Sequence, residues 1–252
     1  MTEHDICLLS RIRFVLVETS LSGNQGAVAR AMKTMGLSKL ALVRPRHLPD
    51  AQALARAAGA DELLHQAGHY EDLAAALGNS RLVIGSSARP RHLSWPELSP
   101  EDAAKRLLAE AAVGEVALVF GRESSGLSND ELAHCHYLTR IPANPEFSSL
   151  NLGAAAQLFA YEIRRAWLAD ALPPADDLRP DVAGAEALDG FFNHLQQTLV
   201  ALGFANPEQS HKLERRLRRL FLRARPDRTE LNILRGILNA ALGSKTSDRF
   251  YR

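Results

Sequence analysis

Residues able to do chemistry gather in three polar segments of this 252-residue chain. The first is Gly23-Asn24-Gln25-Gly26, with Arg30 close behind. The second is Gly121-Arg122-Glu123. The third is Ile141-Pro142-Ala143-Asn144-Pro145-Glu146-Phe147-Ser148-Ser149-Leu150-Asn151. Each follows an apolar run that reads as a strand. Pro142 and Pro145 restrict the backbone before them, so the third segment is expected to hold a defined shape. Ser148 or Ser149 is read as the cap of the next helix, whose free amide donors would face whatever the loop encloses. Glycines in the other two segments allow close backbone approach to a ligand. The pattern predicts a site built largely from main chain; for the third segment alone, an ordinary strand-to-helix turn is the alternative.

Several common chemistries are excluded. No Gly-x-Gly-x-x-Gly follows the first strand and there is no Walker lysine pattern, which argues against hydride transfer and ATP hydrolysis. No Gly-x-Ser-x-Gly elbow offers a nucleophile for acyl transfer. No cluster of His, Cys and acidic residues has metal-ligand spacing.

The elements that must position these segments alternate in kind. Residues 12–17 read as a strand and 19–26 as a turn-rich loop. A helix then begins at Ala27 and is stopped by Gly36. Further strands are expected at 39–43, 81–85, 116–120 and 137–141. Between them lie alanine-rich helices at 51–60 and 70–77, and a helix opened by Ser99-Pro100-Glu101-Asp102. Ser128-Asn129-Asp130-Glu131 matches a capping box. A long helix after Ser149 reaches about Leu168. This alternation is that of a parallel sheet, in which ligands bind beyond the carboxyl ends of the strands. The three polar segments should therefore converge.

Composition shifts at Asp170. An acidic, proline-rich stretch reads as a linker, and beyond it the pattern is wholly helical. Leu188, Phe191, Phe192, Leu195, Leu199 and Leu202 form one stripe, and Leu213, Leu217, Leu220 and Phe221 another. Asn206-Pro207-Glu208-Gln209 opens the second helix and the capping box Asp227-Arg228-Thr229-Glu230 the third. Lys212, Arg215, Arg216, Arg218, Arg219, Arg223 and Arg225 make the second helix basic around its apolar stripe. Such contacts would position phosphates, unless the helix is merely solvated.

Hydrophobic residues are 46% and charged residues 23%, an ordinary globular composition, and the net charge of +1 neither demands nor excludes nucleic acid. Cys7 and Cys135 are far apart and suggest a reducing, cytoplasmic compartment. Met1 to Asp5 offers no basic region ahead of an apolar run, so no secretory signal is expected.

With their flanks, the three segments carry a family resemblance. Residues 23–32, 118–128 and 141–154 resemble, in order and spacing, the motifs of the SpoU class of the SPOUT superfamily, the knotted RNA 2'-O-ribose methyltransferases. Within that class they look most like the bacterial TrmJ-like tRNA enzymes. The resemblance covers about residues 10 to 168, and the linker and tail are similar to that subgroup in length and character.

The resemblance implies an α/β fold, a SPOUT-type parallel sheet with a deep C-terminal trefoil knot, followed by a small all-helical domain. The divisions are a knotted domain over 1–169, a linker over 170–186 and a helical extension over 187–252 that binds tRNA or supports a dimer. S-adenosylmethionine would lie bent in the knot against Gly121, Ile141, Ser149 and Leu150. A cytoplasmic homodimer is implied, with Arg30 close to the partner's knot. The target implied is a cytidine or uridine at the 5' side of the tRNA anticodon loop. Ribosomal RNA, another tRNA position, and a non-catalytic RNA-binding dimer are the alternatives.

Catalytic roles fall by resemblance on Arg30, Asn24, Glu123, Ser149 and Asn151, and substrate contacts on Arg30, Arg122, Lys212, Arg215 and Arg219. No metal is implied. A guanidinium is a poor base because its pKa exceeds about 12. Arg30 is therefore read as gripping the adjacent phosphate and steadying the developing alkoxide, with the arginine-as-base reading left open. Asn24 orients Arg30 or the ribose, while Glu123 and Asn151 fix the loops and nucleotide. Blander roles stand beside these: Arg30 as a surface arginine, Glu123 in a structural ion pair, Asn151 as a helix cap, Asn24 in a tight turn. Ser124 departs from the basic residue that relatives often carry after Glu123.

Overall fold

The computed structural model describes residues 8–88, 95–169, 182–206 and 211–247. Cys7, Arg89, most of the stretch read as a linker, and Pro207 to Gln209 of the expected helix start lie outside these residues.

The branched run Ile12–Val17 forms strand β1, and helix α1 (Ser22–Thr34) follows it. Gly36, at φ +83°, ends that helix as expected, in a left-handed conformation that glycine adopts without steric cost. Strand β2 is Lys39–Val43. Helices α2 (Ala51–Ala57) and α3 (Asp61–His65) lead to β3 (Gly68–Tyr70) and α4 (Leu73–Leu77). Next come β4 (Leu82–Ser86), β5 (Glu97–Leu98) and α5 (Pro100–Ala111). Then β6 (Val116–Phe120), α6 (Asn129–Leu132), β7 (Tyr137–Thr139) and α7 (Leu152–Leu168) complete the α/β part.

The sheet has seven strands in the order β3-β2-β1-β6-β4-β7-β5, and every pairing is parallel. Both faces are covered. Phe14, Leu16, Leu118 and Phe120 point into the core beneath α1, α5 and α7, while Val15, Val17 and Val119 point into the opposite one. Unbroken apolar strands are what such a two-sided sheet requires. Phe120 sits between Phe14 and Phe159, with ring centroids 5.3 and 5.8 Å away.

Several expectations need correction. Helix α1 starts at Ser22, so Gly23-Asn24-Gln25-Gly26 is its first turns and not a loop. Gly26 lies there because α2 packs so closely that a Cβ would come within 2.0 Å of the Ala53 carbonyl oxygen. Tyr70 ends a strand and does not begin a helix. Strands β3 and β5 are three and two residues long, too short for periodicity to register.

The tail comprises α8 (Ala185–Ala201), α9 (His211–Ala224) and α10 (Arg228–Ser247) around Leu188, Phe191, Phe192, Leu222 and Leu231. Asp227 and Glu230 exchange side-chain and backbone hydrogen bonds, the capping box read from the sequence. The end of the stretch read as linker is fixed to the sheet: Ala185 N–H donates to the Ser80 carbonyl at 3.2 Å and Glu186 N–H to that of Gly78 at 3.1 Å. Arg225 then reaches the Glu110 carboxylate at 2.5 Å, where Arg81 also approaches at 3.4 Å. Glu110 is only 3% exposed, and a carboxylate that deep must be paired. All these contacts lie at the amino ends of the strands. No helix among the described residues is long and apolar enough to cross a membrane.

Candidate active site

Adjacent strands β1 and β6 deliver the polar groups at their carboxyl ends, the position where open parallel sheets bind ligands. Helix α1 is preceded by Leu21, which has no side-chain oxygen with which to cap it. Glu123, from the loop after β6, holds the residues just before the helix and the Asn24 side chain in its first turn. Its carboxylate accepts from Ser20 N–H at 3.0 Å, Ser20 Oγ at 2.9 Å and the Asn24 amide at 2.9 Å. The positive end of α1 favours an anion there. Burial pushes the Glu123 carboxyl up, but these donors outweigh it and hold the group below the usual range. Glu123 is thus an anionic acceptor at neutral pH, and it has no cationic partner among the described residues. The ion-pair reading is corrected to a carboxylate held by neutral donors.

The chain of bonds continues. Asn24 Oδ1 accepts from the Asn151 amide at 3.0 Å, and Asn151 Oδ1 accepts from Gly153 N–H at 2.9 Å. Asn151, and not Ser148 or Ser149, therefore caps α7, which starts at Leu152. An Asn in that position satisfies an orphan helix donor and still has its NH₂ free to hold Asn24. Asn24 is 1% exposed and helical, which corrects the tight-turn reading.

Beside this chain lies a cavity of about 320 Å³. Gly121, Ile141, Ser149 and Leu150 all line it, with Glu123 at its wall. Gly121 cannot be larger, because a Cβ would meet the Gly126 carbonyl carbon at 2.1 Å. Volume and lining suit a small molecule with one apolar and one polar portion.

Arg122 also lines the cavity, with its guanidinium held by carboxylates. Its Nε and Nη2 reach Glu18, each at 2.8 Å, and Nη2 and Nη1 reach Glu131, each at 2.9 Å. Nη1 also donates to the Gly126 carbonyl at 3.4 Å. These contacts occupy all five guanidinium donors. Arg122 thus forms a brace between the ends of β1 and β6. Glu18, at φ +48°, takes a left-handed backbone that disfavours a Glu, and its partners Arg122 and Arg44 hold it there. The Arg122 hydrogen bond holds the Glu18 carboxyl below its ordinary value. Glu18 and Ser20 were missed in the sequence; the only signal was their place at the end of a buried strand.

Arg30 does not join the cavity of its own chain. It is exposed on α1, beside Thr34, Arg56 and Gln157 in a separate open hollow of about 750 Å³. In the tail, Lys212 is exposed and Arg219 partly so, and neither has an ion pair among the described residues. Arg215 meets Asp130 at 3.3 Å.

Comparison with known proteins sets this geometry in context. The model of the SpoU rRNA Methylase family matches residues 11–161, and that of the tRNA methyltransferase TrmJ C-terminal domain matches residues 186–249. The tRNA (cytidine/uridine-2'-O-)-methyltransferase TrmJ of Klebsiella pneumoniae is 51% identical over 234 residues, 92% of this chain and 96% of the relative. The crystal structure of TrmJ from Z. mobilis superposes with a TM-score of 0.79 at 33% identity, covering 90% of this chain and 97% of that one. A probable methylase family protein from Haemophilus influenzae gives 0.61 at 42% identity, covering 96% and 99%.

Proposed function

The chain belongs to the SpoU methylase family, and on that premise we propose that it methylates a ribose 2'-hydroxyl of tRNA, using S-adenosylmethionine. The target is a cytidine or uridine at the 5' side of the anticodon loop. One observation carries the reading: Glu123, Asn24 and Asn151, from three separate segments, form a single hydrogen-bonded chain at the wall of a main-chain-lined cavity. The match of the tail favours a tRNA over a ribosomal RNA substrate.

The cavity fits the cofactor. Ile141 and Leu150 offer apolar contact to an adenine, and the backbone at Gly121 leaves room for close approach. When bound, S-adenosylmethionine supplies the electrophilic methyl group. This chain's residues supply alignment. Asn151 and Asn24 lock the start of α7 to α1, and Glu123 locks α1 to the loop after β6, so the cavity wall and the helix bearing Arg30 keep a fixed relation. Ser149 faces the substrate side.

Arg30 acts from a second copy. Its distance from the cavity of its own chain fits a homodimer, as do the exposed apolar side chains of Leu158 and Tyr161 on the neighbouring face of α7. The guanidinium holds the target phosphate and the developing alkoxide, with the proton leaving to water or another group. A trefoil-knotted path fits the position of β7, inserted between β4 and β5 after both have been laid down. Residues 1–169 are then the catalytic domain, and the helices beyond the linker extend the RNA-binding surface of a cytoplasmic enzyme.

The test is incubation of the purified protein with methyl-labelled S-adenosylmethionine and a panel of unmodified tRNAs, followed by nucleoside mapping. The expected product is 2'-O-methylcytidine or 2'-O-methyluridine in the anticodon loop. Absence of label from every tRNA would overturn the proposal.

A further inference from the structure

Four buried hydrogen-bond donors lie where the tail joins the sheet, and no acceptor among the described residues reaches them. They are Nε and Nη2 of Arg225, Nε of Arg106 and Nε2 of His136. Other arginines of the tail have a carboxylate to themselves: Arg218 donates to Asp189 at 2.8 Å and Arg215 meets Asp130 at 3.3 Å.

Glu110 fixes the place. Arg225, just past α9, gives Nη1 to one of its oxygens at 2.5 Å, and Arg81 approaches the other at 3.4 Å. The backbone of Arg225 takes φ +50°, a left-handed conformation unfavourable for an arginine, which the bond to Glu110 holds in place. Arg106 stands one turn before Glu110 on α5, so the two side chains leave the same face of that helix. Arg106 has no ion pair among the described residues. His136, 3% exposed, precedes β7. Its Nδ1 accepts from Val83 N–H at 3.1 Å, so the proton of the neutral ring sits on Nε2. Burial and the charges of Arg225 and Arg106 push the imidazole down to about 3, so both guanidinium groups bear on a neutral ring.

All four orphan atoms are therefore donors, and three of them belong to cations. Leaving buried donors unmade is costly. A water molecule has lone pairs for only some of them and brings no charge to offset Arg106. A negative ion accepts from several donors at once and supplies that charge. The orphan atoms are closed to bulk solvent, which favours a monatomic ion over a phosphate or sulfate. We infer that Arg106, Arg225 and His136 bind a chloride ion buried between α5, the start of β7 and the tail, and that the ion helps to fasten the tail to the sheet.

The experiment follows thermal unfolding of the full chain in sodium gluconate and in sodium chloride at equal ionic strength. The wild-type Tm is expected to rise by about 5–10 °C once chloride exceeds its dissociation constant about a hundredfold. Arg106→Gln removes one cation and leaves the Glu110–Arg225 bond in place. Whatever its starting Tm, it is expected to lose most of the chloride-dependent rise. An equal wild-type Tm in the two salts, or a full rise in Arg106→Gln, would overturn the site. A rise in sodium sulfate that Arg106→Gln loses, with none in chloride, would overturn the choice of a monatomic ion. If Arg106→Gln does not fold, wild-type crystals grown in sodium bromide decide. An anomalous peak within hydrogen-bond reach of His136 Nε2 and Arg225 Nη2 supports the site, and a water or empty density there overturns it.

Discussion

Asn151 gives its amide to the side-chain oxygen of Asn24 at 3.0 Å, across 127 positions of sequence. This bond ties the first turn of α7 to that of α1, and through Glu123 it ties both to the loop after β6. Removing it should affect activity more than folding. Asn151→Ala loses the cap as well, about 1 kcal/mol, or a fall in Tm of about 2–4 °C. Turnover is expected to drop roughly a hundredfold through misalignment. A melting curve and a methylation assay on one preparation check both, and full activity at the lowered Tm would reduce Asn151 to a cap.

Arg30 makes no contact with the cavity of its own chain, so its replacement should leave folding and cofactor binding intact. Arg30→Ala is expected to lose about 10²- to 10³-fold in kcat. Mixed dimers decide whether it works across an interface. Pairing Arg30→Ala with a copy whose cavity is blocked by Ser149→Trp leaves one site whole, so the isolated mixed dimer keeps about half the wild-type activity and an equal mixture about a quarter. No recovery on mixing would place Arg30 within its own subunit's site.

The brace at Arg122 predicts a pH dependence. Glu18 has a folded pKa below its ordinary 4.5, chiefly because Arg122 hydrogen-bonds it. A depressed value means that its stabilisation is complete above about 4.5 and is lost as the pH falls through the folded value. Glu18→Gln should therefore lower Tm at pH 7 and converge with the wild type as the pH falls through the depressed folded value. Parallel Tm curves for the two proteins over that range would rule the brace out.

Cys135 is fully buried, and burial pushes its thiol up to about 12. In a Cys7→Ser background, thiol reagents at pH 8 should label nothing until denaturant opens the fold. Labelling at a native rate would contradict the packing of β7 against β4.

How much of this was legible in the sequence follows from where each constraint resides. The long apolar runs announced β1, β2, β4 and β6, because two-sided burial writes itself into consecutive residues, whereas β7 spans only Tyr137–Thr139 of the expected 137–141. Strands β3 and β5 left no such trace. The family motifs marked Asn24, Glu123 and Asn151, but not their bonds to one another, which depend on three segments meeting in space. Glu18 and Ser20 carry no pattern of their own; only the register of β1 beside β6 shows what they hold. In the tail, composition announced positive charge, yet Arg215, Arg218 and Arg225 became fasteners because Asp130, Asp189 and Glu110 happen to face them. Residue type alone could not separate them from Arg216 and Arg223.

The attachment of the tail at Gly78, Ser80 and Glu110 has an evolutionary corollary. Substitutions there re-set the tail from the end of the sheet opposite Glu123, Asn24 and Asn151. A lineage can thus re-tune that attachment as a separate part, without disturbing the hydrogen-bonded chain at the far rim.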